Sequence, residues 1–266
     1  MGSEIARAVA IEGFHVVMAS RNIERAKQKR KWIISESGNP DVEIIYIDLA
    51  SLKSVRAFVE EIFKREAPVA LLMNNSGIME QQGRTITEDG MERTVQVNYV
   101  GHYLLSRLLV PKMERGSRIV SMTSLTYRWG RIDFPTFFDS GCRGSYWRIF
   151  PYFNSKLAIT LFTIKLAKEL KDKGIMVNCA DPGIVATDII YFKMWFDSLT
   201  RVFFAPYIRT PRQGAATAIR LLLSKEVEGQ TGTFNLSCHE KKLGKKYTHS
   251  PILERLWAET AKRVGL

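Results

Sequence analysis

Tyr152 and Lys156 are the two residues of this sequence whose types and spacing point most directly to chemistry. They stand four residues apart at the head of a segment with helical apolar spacing, and residues four apart on a helix share one face. A cation beside a phenol favours the phenolate, so we expect Lys156 to lower the pKa of Tyr152. Tyr152 would then donate or accept a proton near neutral pH. Taken alone, the same spacing also fits a solvated lysine beside a half-buried tyrosine.

The elements that must position this pair alternate along the chain. Short runs of apolar and β-branched residues alternate with longer helix-like runs, which predicts βαβ units and a parallel sheet in an α/β fold. The predicted strands are 14–19, 42–49, 69–73, 118–123, 176–180 and 233–236. The predicted helices are 3–12, 22–37, 51–66, 88–114, 152–173 and 211–224. No linker or repeat divides the chain, so we expect a single domain over residues 1–266.

Ligands of parallel sheets bind beyond the carboxyl ends of the strands, so the polar residues there are candidates for function. Arg21 follows the first predicted strand, where dinucleotide folds often carry an acid, and its guanidinium could pair with a ribose 2′-phosphate. A surface arginine at a helix start is the alternative. Asp48 and Leu49 stand at the end of the second predicted strand, and the carboxylate is placed to accept from an adenine amino group. Asp48 could equally cap the helix that follows.

Asparagine and glycine residues close the third predicted strand. Asn75, Ser76 and Gly77 form a turn at which the missing side chain of glycine lets the backbone approach a ligand closely. In the long helix that follows, Asn98 stands among apolar residues, where an unpartnered amide would cost stability. We therefore expect Asn98 to hold a water or a backbone carbonyl near the cleft.

Later strand ends supply a hydroxyl and a bend. Ser124 follows the fourth predicted strand and could donate to a substrate oxygen, although serines also end strands without any function. Pro182 and Gly183 give a sharp bend after the fifth strand. Thr187 follows in the same loop and could bond a carboxamide.

Composition excludes several classes of protein. The net charge is +12, but the basic residues are scattered, so we expect no specific nucleic-acid binding. The three cysteines have no framework spacing and the four histidines are dispersed, which indicates a reducing compartment and no metal site. No apolar run reaches the 18 or so residues that span a bilayer, and the first residues do not form a secretory signal. These features predict a cytoplasmic protein.

Taken together, these residues resemble the short-chain dehydrogenase/reductase family. The matching elements, in family order, are Asn74-Asn75-Ser76-Gly77, Asn98, Ser124, Tyr152 with Lys156, and Pro182-Gly183 with Thr187. The stretches 97–105 and 155–158, and the long insertion between Ser124 and Tyr152, resemble the retinol dehydrogenase-like branch. The resemblance implies a Rossmann-like doubly wound parallel sheet with helices on both faces.

The resemblance also implies roles for the residues that match. Tyr152 would be the general acid/base, and Lys156 would lower its pKa and hold the nicotinamide ribose. Ser124 would polarise the carbonyl or alcohol oxygen, and Asn98 would anchor a water that relays protons to Lys156. Arg21, with no acid beside it, resembles NADP-preferring members, although NAD(H) is the other cofactor to consider. A homodimer or homotetramer is the assembly to expect.

One departure from the family concerns the start of the sequence. The family opens with a strand and a glycine turn that cradles a pyrophosphate at a helix N-terminus, and Gly2 matches only the last glycine of that turn. We therefore expect an N-terminally truncated domain that lacks its first strand and leaves the two neighbouring strands facing a gap. A truncated gene model is the first explanation, and a degenerate or inactive product is the second.

The segment 189–207 is dense in aromatic residues and corresponds to the mobile lid of the family. It predicts a lipophilic alcohol or carbonyl substrate such as a retinoid, a steroid or a long aldehyde. A core or interface helix is the alternative reading, and peripheral membrane contact through the same apolar residues is a further expectation. The sequence thus predicts an NADP(H)-dependent oxidoreductase. The rival hypothesis is a non-catalytic member that binds a dinucleotide or a protein.

Overall fold

A computed structural model describes residues 1–81, 83–139, 146–185 and 208–266 of the chain. Within these ranges the strands form one sheet of five and one of two. The five-stranded sheet has the order β3-β4-β5-β6-β7, and the two-stranded sheet pairs β1 with β2. The strands are β1 Val16–Ser20, β2 Val42–Tyr46, β3 Leu71–Asn74, β4 Arg118–Met122, β5 Met176–Asp181, β6 Phe234–Leu236 and β7 His239–Lys241.

Helices connect and flank these strands, and local signals in the sequence set their ends. The α-helices are α1 Gly2–Ile11, α2 Ile23–Ser37, α3 Leu52–Phe63, α4 Arg93–Val95, α5 Gly101–Leu109, α6 Ile149–Glu169, α7 Pro211–Leu223, α8 Lys245–Thr248 and α9 Pro251–Val264. Asn22 caps α2 by accepting from the backbone N–H of Arg25, and Gly38 ends it at a φ of 69°. Thr210 and Gln213 form a capping box at the start of α7.

Parallel pairing brings the carboxyl ends of the strands to one edge of the larger sheet. Asn74 of β3 lies opposite Ser121 of β4, and Met122 of β4 lies opposite Ala180 of β5. The residues that follow these strands therefore meet along a single line, which we call the strand-end edge (residues 75–77, 123–124 and 181–183). The doubly wound α/β fold predicted from the sequence is confirmed, with a mostly parallel sheet and helices packed against it.

The two sheets are not joined by backbone pairing. Strands β1 and β3 belong to different sheets, and in the part of the chain that the structure describes no strand pairs with both of them. Helix α1 packs against α2 and α7 and reaches the strand-end edge. A Cβ on Gly2 would lie there 2.8 Å from the side-chain amide nitrogen of Asn75. The sequence predicts such a gap between these two strands.

The core of the larger sheet is built on α6, whose middle residues are almost all buried. Rings from α6, α9 and the helical stretch before β4 pack together. Tyr99 meets Tyr103 edge to face with ring centres 6.1 Å apart, and Phe162 stacks on Trp257 with ring centres 6.0 Å apart. Tyr99 also shares a hydrogen bond of 2.7 Å with Thr260. This packing fixes the position of α6 against the strand-end edge.

No helix in the described ranges is long and apolar enough to cross a membrane.

Several elements depart from the sequence-based expectations. The predicted helix 88–114 is α4 and α5 joined by a π-helical turn, Gln96–Val100, and followed by a 3₁₀ turn, Val110–Lys112. Strand β7 pairs antiparallel with β6, and α8 and α9 follow it, none of which the strand and helix patterns predicted. β7 is fully exposed, so it carries no apolar alternation that would reveal a strand.

Gly101 allows a test of how closely α5 packs against the chain that follows β2. A Cβ at this position would lie 2.7 Å from the Leu49 carbonyl oxygen and 2.9 Å from its Cβ. Overpacking against backbone costs about 1–3 kcal/mol and the helix propensity of alanine returns about 1 kcal/mol. We expect Gly101→Ala to lower the free energy of unfolding by about 1 kcal/mol, the middle of that difference, in urea denaturation. Gly244→Ala, whose Cβ would meet only Lys246 at 4.0 Å, is the control, and equal stability of both variants would contradict the packing.

Candidate active site

Tyr152 and Lys156 lie on the first turns of α6 and face the strand-end edge. The Lys156 ammonium is 5.6 Å from the centre of the Tyr152 ring, so the two side chains share a cleft as predicted. Lys156 is only 4% exposed, and its Nζ donates to the Met122 carbonyl at 3.2 Å. The last residue of β4 therefore fixes the position of the Lys156 ammonium in the cleft.

The expectation that Lys156 lowers the pKa of Tyr152 is wrong for this structure. The pKa of Tyr152 is raised to about 12, first because its hydroxyl end is buried and second because of the Asp181 carboxylate. A hydrogen-bonding interaction with Ser124 lowers it by less. Burial also lowers the pKa of Lys156 to about 8, against an opposing effect of Asp181. Removal from water is thus the largest cause of both shifts.

Ser124 approaches the Tyr152 phenol from the segment that follows β4. It stands two residues past the strand and begins a 3₁₀ turn, Leu125–Trp129, in which its hydroxyl accepts from the Thr126 N–H at 3.3 Å. The same hydroxyl lies close enough to Tyr152 to affect the pKa of the phenol. The structure therefore brings together Ser124, Tyr152 and Lys156, as the resemblance implied.

Asn98 lies in the π-helical turn Gln96–Val100, a local widening that is common at functional sites. Its carboxamide accepts from the Ile78 N–H at 2.7 Å and donates to the Ile78 carbonyl at 2.8 Å, and it also donates to the Ser155 hydroxyl at 3.0 Å. The expected backbone carbonyl partner is thus present. These bonds tie the loop after β3 to α6 one residue before Lys156.

Gly77 stands between Asn98 and Lys156. A Cβ at this position would lie 3.4 Å from Lys156 Nζ and 3.5 Å from Asn98 Oδ1. The amide oxygen and the ammonium therefore border the same small space at the strand-end edge. Sequence reasoning did not identify Ser155, which accepts from Asn98 and donates to the Tyr152 carbonyl at 2.7 Å. The only signal in the sequence was that Ser155 directly precedes Lys156.

Asn75 and Ser76 complete the turn after β3. The Asn75 side-chain oxygen is buried and has no hydrogen-bond partner within the described residues. The Ser76 carbonyl is 2.9 Å from His102 Nε2 on α5. Burial lowers the pKa of His102 to about 4, so the ring is neutral and donates from Nε2. His102 holds this turn in place, a role that the sequence did not reveal.

A second group of predicted residues lies beside the ends of β1 and β2. Arg21, Tyr46 and Asp48 line an open cavity of about 470 Å³ together with Ser51. Asp48 accepts from the Ala50 N–H at 2.9 Å, whereas the cap of α3 is Ser51. Asp48 is therefore not the helix cap. Leu49 is 7% exposed and packs its side chain into the core, so it does not line this cavity.

The remaining predicted residues follow β5. Gly183 has a φ of +72°, a conformation that favours glycine, and a Cβ there would also lie within 3.0–3.1 Å of the Arg209 guanidinium. Arg209 Nη1 donates to the Pro182 carbonyl at 3.3 Å, which fixes the bend. Thr187 and the aromatic segment 189–207 lie outside the described residues.

Asp181 is an acid at this edge that sequence reasoning passed over in favour of the bend that follows it. It is the last residue of β5, and it is 1% exposed. The pKa values of both Tyr152 and Lys156 are raised by its charge. An acidic residue directly after a buried apolar strand was the signal in the sequence.

Comparisons with known proteins agree with this geometry. A family model described as short chain dehydrogenase matches residues 1–137 and 140–193. Mouse retinol dehydrogenase 13 is 33% identical over 273 residues, which span 100% of this chain and 81% of that protein. Human polyprenol dehydrogenase is 32% identical over 275 residues, which span 100% of this chain and 82% of that protein.

A solved structure is similar in fold. The crystal structure of a short chain dehydrogenase from Burkholderia cenocepacia J2315 in complex with NADP superposes with a TM-score of 0.70 at 24% identity. The match covers 88% of this chain and 90% of that chain. The sequence matches and the arrangement of the strand-end edge lead to one conclusion: the chain belongs to the short-chain dehydrogenase family and is a retinol dehydrogenase-like oxidoreductase acting on CH–OH or C=O groups.

Proposed function

We propose that the protein is an NADP(H)-dependent oxidoreductase for a lipophilic alcohol or carbonyl compound, with Tyr152 as the general acid/base. The observation that carries the proposal is the meeting of Tyr152, Ser124 and Lys156 at the carboxyl ends of parallel strands. This is where α/β sheets of this kind bind their ligands. Membership of the family supports the class of reaction.

The chain's own residues would handle the proton. A phenol whose pKa is raised to about 12 stays protonated over the neutral range, which is the form that reduction of a carbonyl to an alcohol requires. The Ser124 hydroxyl would donate a hydrogen bond to the same substrate oxygen. The Lys156 ammonium would stabilise the Tyr152 phenolate that remains after proton transfer. Asn98 would hold the relay that restores the proton through Lys156. When bound, a nicotinamide supplies the hydride.

The cofactor residues divide between two places. Tyr152, Lys156, Gly77 and the Pro182-Gly183 bend fit the nicotinamide end, and the buried, unpartnered oxygen of Asn75 lies in the same turn, judged within the described residues. Arg21 and Asp48 border the open cavity and fit the adenosine end, with Arg21 able to pair with a 2′-phosphate. Thr187 stays a predicted contact. The net charge of +12 favours an anionic cofactor.

A lipophilic substrate is supported by the names of the relatives and by exposed apolar side chains close in sequence to the site residues. Retinol and polyprenol, after which two relatives are named, are apolar alcohols. This chain exposes Leu125, Trp129, Phe150 and Ile184, all close in sequence to the proposed site residues. Apolar side chains beside a polar reaction centre are typical of sites that take an apolar ligand.

A non-catalytic, dinucleotide- or protein-binding role is the second candidate. The observation that favours it is the lack of pairing between β1 and β3 in the described part of the chain, beside the place where a pyrophosphate would bind. Titration of NADPH into the protein, followed by nicotinamide fluorescence, separates the two. Binding with aldehyde-dependent turnover supports the enzyme, and binding without turnover supports the second role. Homo-oligomerisation, a cytoplasmic location, peripheral membrane contact and a single domain over residues 1–266 stay predictions.

Tyr152→Phe tests the proposed proton donor. The variant keeps the ring and loses the hydroxyl, so we expect NADPH-dependent reduction of retinal to fall by about 10²–10⁴-fold while NADPH binding is unchanged. The rate is measured by NADPH absorbance, and binding is measured by fluorescence. Tyr247→Phe, which removes a hydroxyl from a partly buried ring elsewhere, is the matched control. A Tyr152→Phe variant with wild-type turnover would eliminate Tyr152 as the acid.

Arg21→Gln tests the cofactor preference. Loss of a charge-assisted bond to a phosphate costs about 1.5–3 kcal/mol, so we expect the KM for NADPH to rise by about 10–100-fold with little change in kcat. The KM for NADH, which has no 2′-phosphate, should stay the same. Lys31→Gln, on the exposed side of α2, removes the same charge and serves as the control. Equal effects of Arg21→Gln on both cofactors would contradict the assignment.

A further inference from the structure

Strands β1 and β3 each have one backbone edge that pairs with no other strand of the described residues. Along a strand, the backbone N–H and C=O groups of one residue point to one side, and those of the next residue point to the opposite side. On β1, the Val16 N–H and the Ser20 carbonyl are bonded on the β2 side, at 3.0 and 3.3 Å. The backbone groups of Val17 and Ala19 therefore point away from β2.

The free edge of β3 follows from the same alternation. The Ala70 carbonyl, one residue before β3, accepts from the Arg118 N–H of β4 at 2.8 Å, so the backbone groups of Leu71 and Met73 point away from β4. The Met73 carbonyl accepts from the nearby Asn75 N–H at 3.0 Å, and the other groups reach no strand within the described ranges. We call the four residues with free edge groups the seam residues: Val17, Ala19, Leu71 and Met73.

The same helix layers cover both strands. On one face, Val9 of α1 packs against two apolar clusters, one with Met18 of β1 at its margin and one with Leu71 of β3 at its margin. On the other face, Val17 of β1 and Leu72 of β3 both pack against the large core cluster. The two strands are therefore neighbours in one layer, with helices above and below.

The two strands also run in the same direction. Helix α1 begins at Gly2, beside the Asn75 side chain that follows the carboxyl end of β3. It ends at Ile11 and is joined through Gly13 to the start of β1 at Val16. Strand β1 thus starts at the opposite edge of the layer and runs parallel to β3. A strand between them could pair in parallel with both edges at once.

The chemistry of the two facing segments limits what could bind there. All side chains of residues 17–19 and 71–73 are apolar, so a charged strand would find no partner. Five of these six residues are half-buried and Ala19 is exposed, whereas every residue of β5 is buried. A strand with helices over both faces is apolar throughout rather than alternating. Free edges of this kind bind extended peptides through main-chain hydrogen bonds.

We propose that the seam between β1 and β3 is a binding site for an extended, uncharged apolar segment of a separate polypeptide, inserted as a parallel strand. The length of β1 sets the inserted segment at about five residues. Exposure of Ala19 gives such a segment access to the free edge. This site is distinct from the residues of the proposed reaction, and the inference holds whether or not the protein is an enzyme.

Amide hydrogen exchange, followed by NMR, tests the insertion directly. The probe is the peptide acetyl-Lys-Lys-Val-Ile-Val-Ile-Val-amide, whose two lysines keep it soluble. We expect the peptide to slow exchange of the four seam amides, because an inserted strand accepts from their N–H groups. The Val16 amide, already bonded on the β2 side, should change little. The melting temperature should rise by about 5–10 °C at a peptide concentration about 100-fold above its Kd.

Ala19→Pro is the matched variant of the protein. Proline lacks the N–H that points to the seam, and its ring occupies the space of the inserted strand, while no bond to β2 is lost. We expect the Kd for the peptide to rise by about 10-fold or more, measured by fluorescence anisotropy of a labelled peptide. Ala19→Val keeps the N–H and should bind as the wild type does. Should Ala19→Pro not fold, a peptide with proline at its middle apolar position replaces it, and this peptide should not bind to the wild type.

Three results would overturn the inference. The first is a peptide that fails to bind, or that binds while the seam amides still exchange rapidly. The second is protection of these amides that rises with protein concentration alone, which would assign the seam to a second copy of the chain. The third is protection only when the same peptide is fused ahead of Met1, which would assign the seam to a segment of the same polypeptide.

Discussion

The parallel pairing of β4 with β3 and β5 is the constraint on which the candidate site depends. Because these strands run in one direction and in register, the residues that follow them meet at one edge. The Asn98 carboxamide then clamps the loop after β3 to α6 through Ile78 and Ser155. A shift of α6 by one helical turn, about 5.4 Å, would take Lys156 away from the Met122 carbonyl and Tyr152 away from Ser124.

Desolvation governs the chemistry that this frame can perform. Burial raises the pKa of Tyr152 and lowers that of Lys156, so both groups are driven towards their neutral forms. The Asp181 carboxylate acts against this for the lysine and with it for the tyrosine. The outcome is a site that holds a phenol beside an ammonium near neutral pH. That arrangement suits proton donation to a carbonyl oxygen more than proton removal from an alcohol.

Helical and strand periods fix the direction in which side chains point, so residue spacing indicates which side chains can meet. The spacing of Tyr152 and Lys156 made them a candidate pair, and the resemblance of the surrounding motifs to a known family added Ser124. The direction of the Tyr152 pKa shift could not be read in the same way, since it depends on burial, which is a property of the whole fold. The π-helical turn at Asn98 and the exposed strand β7 leave no periodic signal, and Asp181 was hidden by the Pro-Gly bend beside it.

The central claim is that this strand-end edge serves a hydride transfer with Tyr152 as the proton donor. The most direct measurement is transfer of deuterium from NADPH labelled at nicotinamide C4 to a lipophilic aldehyde such as retinal, with the product alcohol analysed by mass spectrometry. The account predicts deuterium at the carbinol carbon with one of the two labelled stereoisomers of NADPH and none with the other. Bound NADPH that yields no labelled alcohol with either stereoisomer would contradict it.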